Sequence, residues 1–250
     1  MDKQQVVLVT GGGRGIGAAT ALLAARQGWA VAVNYAANAD AAQAVVQQIR
    51  AGGGRAVALQ ADVASEDQIV RLFQQVDAEL GPLTALVNNA GVVDVAARVD
   101  GMATARLLRM FNVNVIGSFL CAREAVKRMS TRYGGAGGSI VNLGSAAARL
   151  GSPGQYVDYA SAKAAIDTFT LGLAKEVATE GIRVNAVRPG IIATEIHASG
   201  GQPHRANEVA PQVPMQRPGT ADEVAQAVWW LMSDASSYTT GSLIDVAGGR

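Results

Sequence analysis

The chain has 250 residues, 49% of them apolar and 16% charged, enough hydrophobic material to bury a sheet on both faces and to exclude a disordered chain. Lys plus Arg total 21 against 20 Asp plus Glu, and the formal charge of +1 offers no broad field to nucleic acid or an anionic membrane, so a small molecule is the expected partner. Cys121 is the only cysteine, and MDKQQ leads into an apolar run too short for a signal peptide or a spanning helix, so a reduced, cytoplasmic setting is expected.

Apolar or β-branched runs at 5–10, 30–35, 56–60, 85–88, 139–143, 183–187 and 243–246 predict seven strands. Segments of helical period near 16–27, 39–51, 66–80, 101–130, 156–180 and 221–233 predict the helices between them. This alternation predicts an α/β fold, a doubly wound parallel sheet with helices on both faces, in a single domain over 1–250. Gly28 and Gly181 close two of the helical runs, and Ser65, ahead of Glu66 and Asp67, is placed to cap a third. The stretch 191–219 contains Pro203, Pro211, Pro214, Pro218 and the pair Gly200 and Gly201, and is the least periodic part of the chain. It lies where an open α/β sheet would carry a substrate lid, with a plain surface loop as the other reading.

Directly after the first strand comes Thr10-Gly11-Gly12-Gly13-Arg14-Gly15-Ile16-Gly17, followed by a helix rich in Ala and Leu. A pyrophosphate at a helix N-terminus needs close backbone approach, which glycines permit, and the unpaired N–H groups there favour an anion. Spacing alone allows two frames, Gly13, Gly15 and Ala18 or Gly11, Gly15 and Gly17. An acid at the end of the second strand would bind ribose hydroxyls and repel a 2′-phosphate. None is there: Asn34, Tyr35 and Ala36 fill the place, and Arg14 offers a guanidinium for a phosphate, so NADP is favoured over NAD. Asp62, after the third strand, is suited either to an adenine amino group or to capping its own turn.

Tyr159 and Lys163 stand four apart on a predicted helix and so share a face. A neighbouring ammonium favours phenolate, which predicts a phenol more acidic than its ordinary value near 10. Asn88, Asn89, Ala90 and Gly91 end the fourth strand at the expected crevice. His197 and His204 have no metal-ligand pattern around them, and no metal is expected.

Together, TGGGRGIG at 10–17, NNAG at 88–91, Asn114, Ser145, Tyr159-Ala-Ser-Ala-Lys163 and Pro189-Gly190 resemble the short-chain dehydrogenase/reductase family along the whole chain. The resemblance selects the frame Gly11, Gly15 and Gly17 and implies a Rossmann-type sheet. It also implies an NADP(H)-dependent oxidoreductase moving a hydride between nicotinamide and a carbonyl or secondary alcohol. Tyr159 would exchange the proton, Ser145 would hydrogen-bond the same oxygen, Lys163 would hold the nicotinamide ribose, and Asn114 would anchor a water that relays protons. The cofactor would meet Gly11, Gly13, Arg14, Gly15, Ile16 and Gly17 in the turn, then Asn34, Tyr35, Asp62, Val63, Asn88, Ala90 and Gly91. On the nicotinamide side it would meet Tyr159, Lys163, Pro189, Gly190, Ile192 and Thr194. Ser145 and Tyr159 are fourteen apart, one more than the family's usual interval, with the extra residue in 151–154 and Ser139 as the competing serine. Ala147, Gln155, Tyr156, Ile192 and His197 would line a mixed pocket open to acyl chains, small ketones, steroids or sugars. The family commonly forms tetramers through the helices at 101–130 and 156–180, whose apolar residues lie on more than one side. Three other readings are an NAD(H)-dependent sugar or alcohol dehydrogenase of the same family, a sugar-nucleotide epimerase and a cofactor sensor without turnover. The epimerase would need a larger C-terminal domain, and the sensor could dispense with the proton donor.

Overall fold

Runs of Val, Ala, Ile and Leu build the strands, and in the computed structural model, which describes residues 4–250 apart from the side chain of His197, all of them join one sheet. These are β1 (Val6–Val9), β2 (Ala30–Tyr35), β3 (Ala56–Gln60), β4 (Ala85–Asn88), β5 (Gly138–Leu143), β6 (Ile182–Pro189) and β7 (Leu243–Val246). All neighbours are parallel, in the order β3-β2-β1-β4-β5-β6-β7. The order reverses between β1 and β4, so the crevice for a ligand opens at their carboxyl ends.

Between the strands run α1 (Gly15–Arg26), α2 (Ala39–Ala51), α3 (Glu66–Leu80), α4 (Thr104–Phe111), α5 (Gly117–Met129), α6 (Ala147–Leu150) and α7 (Val157–Val177). The short α8 (Ile196–Ser199) and α9 (Arg205–Val209) precede α10 (Ala221–Met232). Strand alternation divides the core: Val6, Leu8, Leu86 and Ile140 pack with α3, α5 and α7, while Val7, Val9, Val87 and Val141 pack with α1, α2 and α10. Both faces are therefore dry, as an all-parallel sheet requires.

Three sequence expectations change. The single helix foreseen over 101–130 is α4 and α5 joined by a π-helical turn at Asn112–Ile116, a wider turn that places Asn114. Ser65 stands at the start of α3 but its side chain makes no capping bond; the loop is held instead by Asp62, whose Oδ1 accepts from the Ala64 N–H at 2.9 Å. This bond matches the turn reading of Asp62 and uses one of its two carboxylate oxygens. The stretch 191–219 is partly regular, with α8, α9 and a 3-10 turn at Ala210–Gln212, and it is closed at its base by a bridge between Ile192 and Gly219. Among the described residues, no helix is long and apolar enough to cross a membrane.

Candidate active site

The glycine turn is shaped by three buried or half-buried polar side chains that spend themselves on backbone. Thr10 Oγ accepts from the N–H groups of Asn89 and Ala90, both at 3.0 Å. Asn89 Nδ2 donates to the carbonyls of Thr10 (2.9 Å) and Gly11 (3.0 Å). Asn34 Oδ1 accepts from Gly11 N–H at 3.2 Å, and its Nδ2 donates to the carbonyls of Leu59 (3.3 Å) and Ala61 (3.0 Å). Gly11 and Gly15 have φ of +60° and +53°. A Cβ on Gly17 would lie 2.5 Å from both Gly11 O and Asn89 Nδ2. The frame is thus Gly11, Gly15 and Gly17, while Gly13 gives close approach to Ala42 of α2.

A dinucleotide fits this cradle. The α1 N-terminus carries no acidic residue in its first turn and no side-chain cap, so its N–H groups face outward for an anion. Arg14 is exposed beside it, its Nη2 3.4 Å from Ser199 Oγ of α8. Two of the expected cofactor residues turn their side chains inward, one of them in the strand-supporting role also expected of it. The Asn34 side chain is 1% exposed and engaged with the turn and with β3, which removes it from the ribose and leaves half-buried Tyr35 and exposed Ala36 at that edge. Asn88 likewise turns inward, donating to Asn142 Oδ1 (3.0 Å) and the Ser118 carbonyl (3.1 Å), and Asn142 continues to Thr170 at 2.9 Å. It supports the strand; Asn89 is the asparagine that faces the cavity. The Val63 side chain is buried in the core, and its carbonyl would stand 2.6 Å from a Cβ on Gly117. Ala90 contributes backbone, its N–H held by Thr10.

A cavity of about 470 Å³ opens beyond the turn. It gathers Ser145 after β5, Tyr159 and Lys163 on α7, Pro189 at the end of β6 with Gly190, Ile192 and Thr194 after it, and Ile16 and Gly91 from the side of the glycine turn. Ala147, Gln155 and Tyr156, named as candidate lining residues, also line it; the side chain of His197 lies outside the described residues. Lys163 Nζ stands 5.7 Å from the centroid of the Tyr159 ring and donates to the Leu143 carbonyl at 2.6 Å. Ser139 lies at the far end of β5 and donates to the Met232 carbonyl, so of these two serines it is Ser145 that lines the cavity. The extra residue before Tyr159 is taken up by a turn in which Gly151, Ser152 and Gly154 all have positive φ. Asn114 is fully buried behind the wall, with Nδ2 donating to the carbonyls of Val92 (3.0 Å) and Met110 (2.9 Å) and Oδ1 accepting from Val92 N–H (3.2 Å). A Cβ on Gly91 would sit 2.8 Å from Asn114 Oδ1 and 3.7 Å from Lys163 Nζ, so the glycine lets these three groups meet.

A sequence model described as enoyl-(acyl carrier protein) reductase matches residues 11–250. A solved short-chain dehydrogenase/reductase from Serratia marcescens superposes with a TM-score of 0.90 at 34% identity, covering 98% of this chain and 97% of that one. The chain belongs to the short-chain dehydrogenase/reductase family. A second family member of known structure, from Mycobacterium marinum, gives a TM-score of 0.91 at 36% identity over 98% of this chain and 94% of its own. An uncharacterized oxidoreductase, YgfF of Escherichia coli K12, is 57% identical over 98% of this chain and 99% of its own. The 3-oxoacyl-[acyl-carrier-protein] reductase of Synechocystis sp. PCC 6803 is 39% identical over 98% and 96%. This short-chain dehydrogenase/reductase is accordingly an oxidoreductase.

Its electrostatics depart from the sequence expectation in sign. Burial pushes the Tyr159 phenol above its ordinary value, opposed by a hydrogen bond with Ser145. Burial also pulls the Lys163 ammonium down to about 8, opposed by the charge of Asp167, which is itself paired with Arg188 at 2.8 Å. The ammonium lies over the face of the ring, and burial, not the ammonium, sets the direction of the phenol's shift. Among the charged residues of the cavity, Arg205 and Arg250 were not foreseen. Arg205 lies in the stretch read as irregular, whereas Thr10 and Asn89 stand inside motifs that the sequence displayed.

Proposed function

We propose that this enzyme is an NADP(H)-dependent carbonyl reductase, run in reverse as a secondary alcohol dehydrogenase. The observation that carries the reading is that the Ser145 and Tyr159 hydroxyls line one cavity, with Lys163 against the ring. When bound, the nicotinamide supplies a hydride to a carbonyl carbon or removes one from an alcohol carbon. Tyr159 donates the proton to the substrate oxygen in reduction, and a phenol held protonated by burial suits that direction at neutral pH. Ser145 hydrogen-bonds the same oxygen and stabilises charge arising there. Lys163 holds the ribose hydroxyls, and Asn114, adjoining it across Gly91, anchors the water through which the proton is replaced. Arg14 and the lack of an acid at the end of β2 favour the 2′-phosphate of NADP, and the names of the acyl-carrier-protein reductase relatives favour carbonyl reduction. Segment 191–219 covers the substrate end as a lid, since its Ile192, Thr194, Ile196 and Arg205 line the cavity.

Assembly through α5 and α7 is part of the same reading. Phe119 is 47% exposed and stacks on Phe169 with centroids 3.7 Å apart, and Ile116 and Leu108 are exposed nearby in sequence. An apolar face of this kind suits a second copy of the chain.

Following NADPH and NADH absorbance with a panel of ketones tests the proposal. NADPH consumption is expected, with kcat/KM at least about tenfold above that for NADH, a difference of about 1.4 kcal/mol. A preference for NADH removes the reading of Arg14; cofactor binding without consumption by any ketone leaves the sensor.

A further inference from the structure

The cavity beside Tyr159 is unbalanced in charge. Among the described residues that line it, Lys163, Arg205 and Arg250 are cationic and none is Asp or Glu. Lys163 is absorbed by the chemistry above; Arg205 is not. Arg205 opens α9 and reaches back to the start of α7, where its Nη2 donates to Gln155 Oε1 at 2.7 Å while Nη1 donates to Gln202 Oε1 at 2.7 Å. The Tyr156 hydroxyl donates to the same Gln202 oxygen at 3.0 Å, and the guanidinium carbon stands 5.2 Å from the Tyr156 ring centroid. Tyr156 is three residues, nearly one helical turn, before Tyr159.

These contacts fix the plane of the guanidinium without neutralising it. Both acceptors are neutral amide oxygens, and stacking on an aromatic ring holds a cation while leaving its charge in place. Elsewhere in the molecule the half-buried arginines Arg106 and Arg188 each meet a carboxylate at 2.8 Å, and half-buried Arg183 spends its N–H groups on the Ser236 hydroxyl and the carbonyls of Leu231, Met232 and Ser233. Among the described residues Arg205 forms no ion pair, and two of its five N–H groups account for the bonds it makes. A permanently charged, half-buried group with spare donors and no counter-ion is a site completed by an anionic ligand, and its planar fork matches a carboxylate.

We propose that Arg205 recognises a carboxylate on the substrate, so that the enzyme selects small oxo acids and the corresponding hydroxy acids over neutral ketones. This rests on the carbonyl-reductase reading and names the substrate class of the same cavity. Arg205 is then a specificity-determining residue, positioned by Gln155, Gln202 and Tyr156.

The test compares a 3-oxo carboxylate, its methyl ester and its neutral N-acetylcysteamine thioester as substrates with NADPH, for the natural chain, Arg205→Met and Arg205→Lys. The natural chain is expected to favour the acid over the ester by about tenfold or more in kcat/KM, mostly through KM. The ratio falls to near one in Arg205→Met and is partly restored in Arg205→Lys. Equal use of acid and ester by the natural chain, a preference for the thioester over the acid, or an unchanged ratio in Arg205→Met would each overturn the inference while leaving carbonyl reduction standing. Because the first comparison uses only the natural chain, poor folding of a variant does not rescue the inference. If none of the three compounds consumes NADPH while a ketone of the panel does, the inference fails and carbonyl reduction stands; if no ketone does either, it is the underlying reductase reading that fails.

Discussion

The two ends of the site are built by different means. At the nucleotide end, Thr10, Asn34 and Asn89 direct nearly all their hydrogen bonds to backbone groups of the glycine turn and its flanking strands. At the substrate end, Arg205, Gln155, Gln202 and Tyr156 bond side chain to side chain between α7 and the segment 191–219. Backbone-directed bonds fix a shape that any replacement disturbs, whereas a cluster of side chains can be exchanged without moving the chain that carries it. The first end is therefore suited to one unvarying ligand part and the second to a changeable one.

Three substitutions or conditions sharpen that contrast. The largest effect belongs to Tyr159→Phe, which removes the proton donor and is expected to lower turnover by about 10²–10⁴-fold. Titration of the variant with NADPH by fluorescence should show binding close to that of the parent; turnover equal to the parent's would mean another acid is at work. Next is Gly17→Ala. The new methyl meets Gly11 O and Asn89 Nδ2, neither free to retreat, so a loss of about 1–3 kcal/mol in thermal or denaturant stability is expected together with weakened cofactor binding. A variant of undiminished stability and affinity would show the turn to be softer than its hydrogen bonds suggest. The smallest effect is in pH. Lys163 titrates near 8 in the folded protein against 10.5 when unperturbed, so its charge is lost above about pH 8 and kcat/KM for reduction should decline there. The folded chain binds this proton less tightly than the unfolded one, so the cost of burying the charge is fully present below pH 8 and is relieved as pH rises toward 10.5. Melting curves of Lys163→Met, which carries no such charge, should lack that relief; an identical pH dependence in both proteins would contradict it.

Where local pattern decides structure, the sequence was explicit. The alternation of apolar runs and helical periods located β2, β3, β4 and β7 with α2 and α3, and the i to i+4 spacing put Tyr159 and Lys163 on one face of α7. The inward turn of Asn34 was not legible, because it depends on carbonyls of Leu59 and Ala61 that β3 brings alongside from another part of the chain. Asn88 and Asn89 differ in role for the same reason: successive side chains of a strand end point to opposite sides, and only the packing of Ser118 and Asn142 shows which side is filled. The sign of the Tyr159 perturbation was missed because spacing gives proximity to a charge but not the depth of burial around both groups.

The widened turn at Asn112–Ile116 has a consequence for engineering. It takes up one more residue than a regular α-helical turn, and each residue of such a helix rotates the chain by about 100°. Deleting a single amino acid there would let α4 and α5 fuse into an uninterrupted α-helix and would re-aim the side chains of the turn itself. Asn114 would then leave its place, and the loop at Val92 would lose the amide that clamps it. Length variation between related enzymes should therefore be tolerated in the neighbouring loops and forbidden inside this five-residue irregularity.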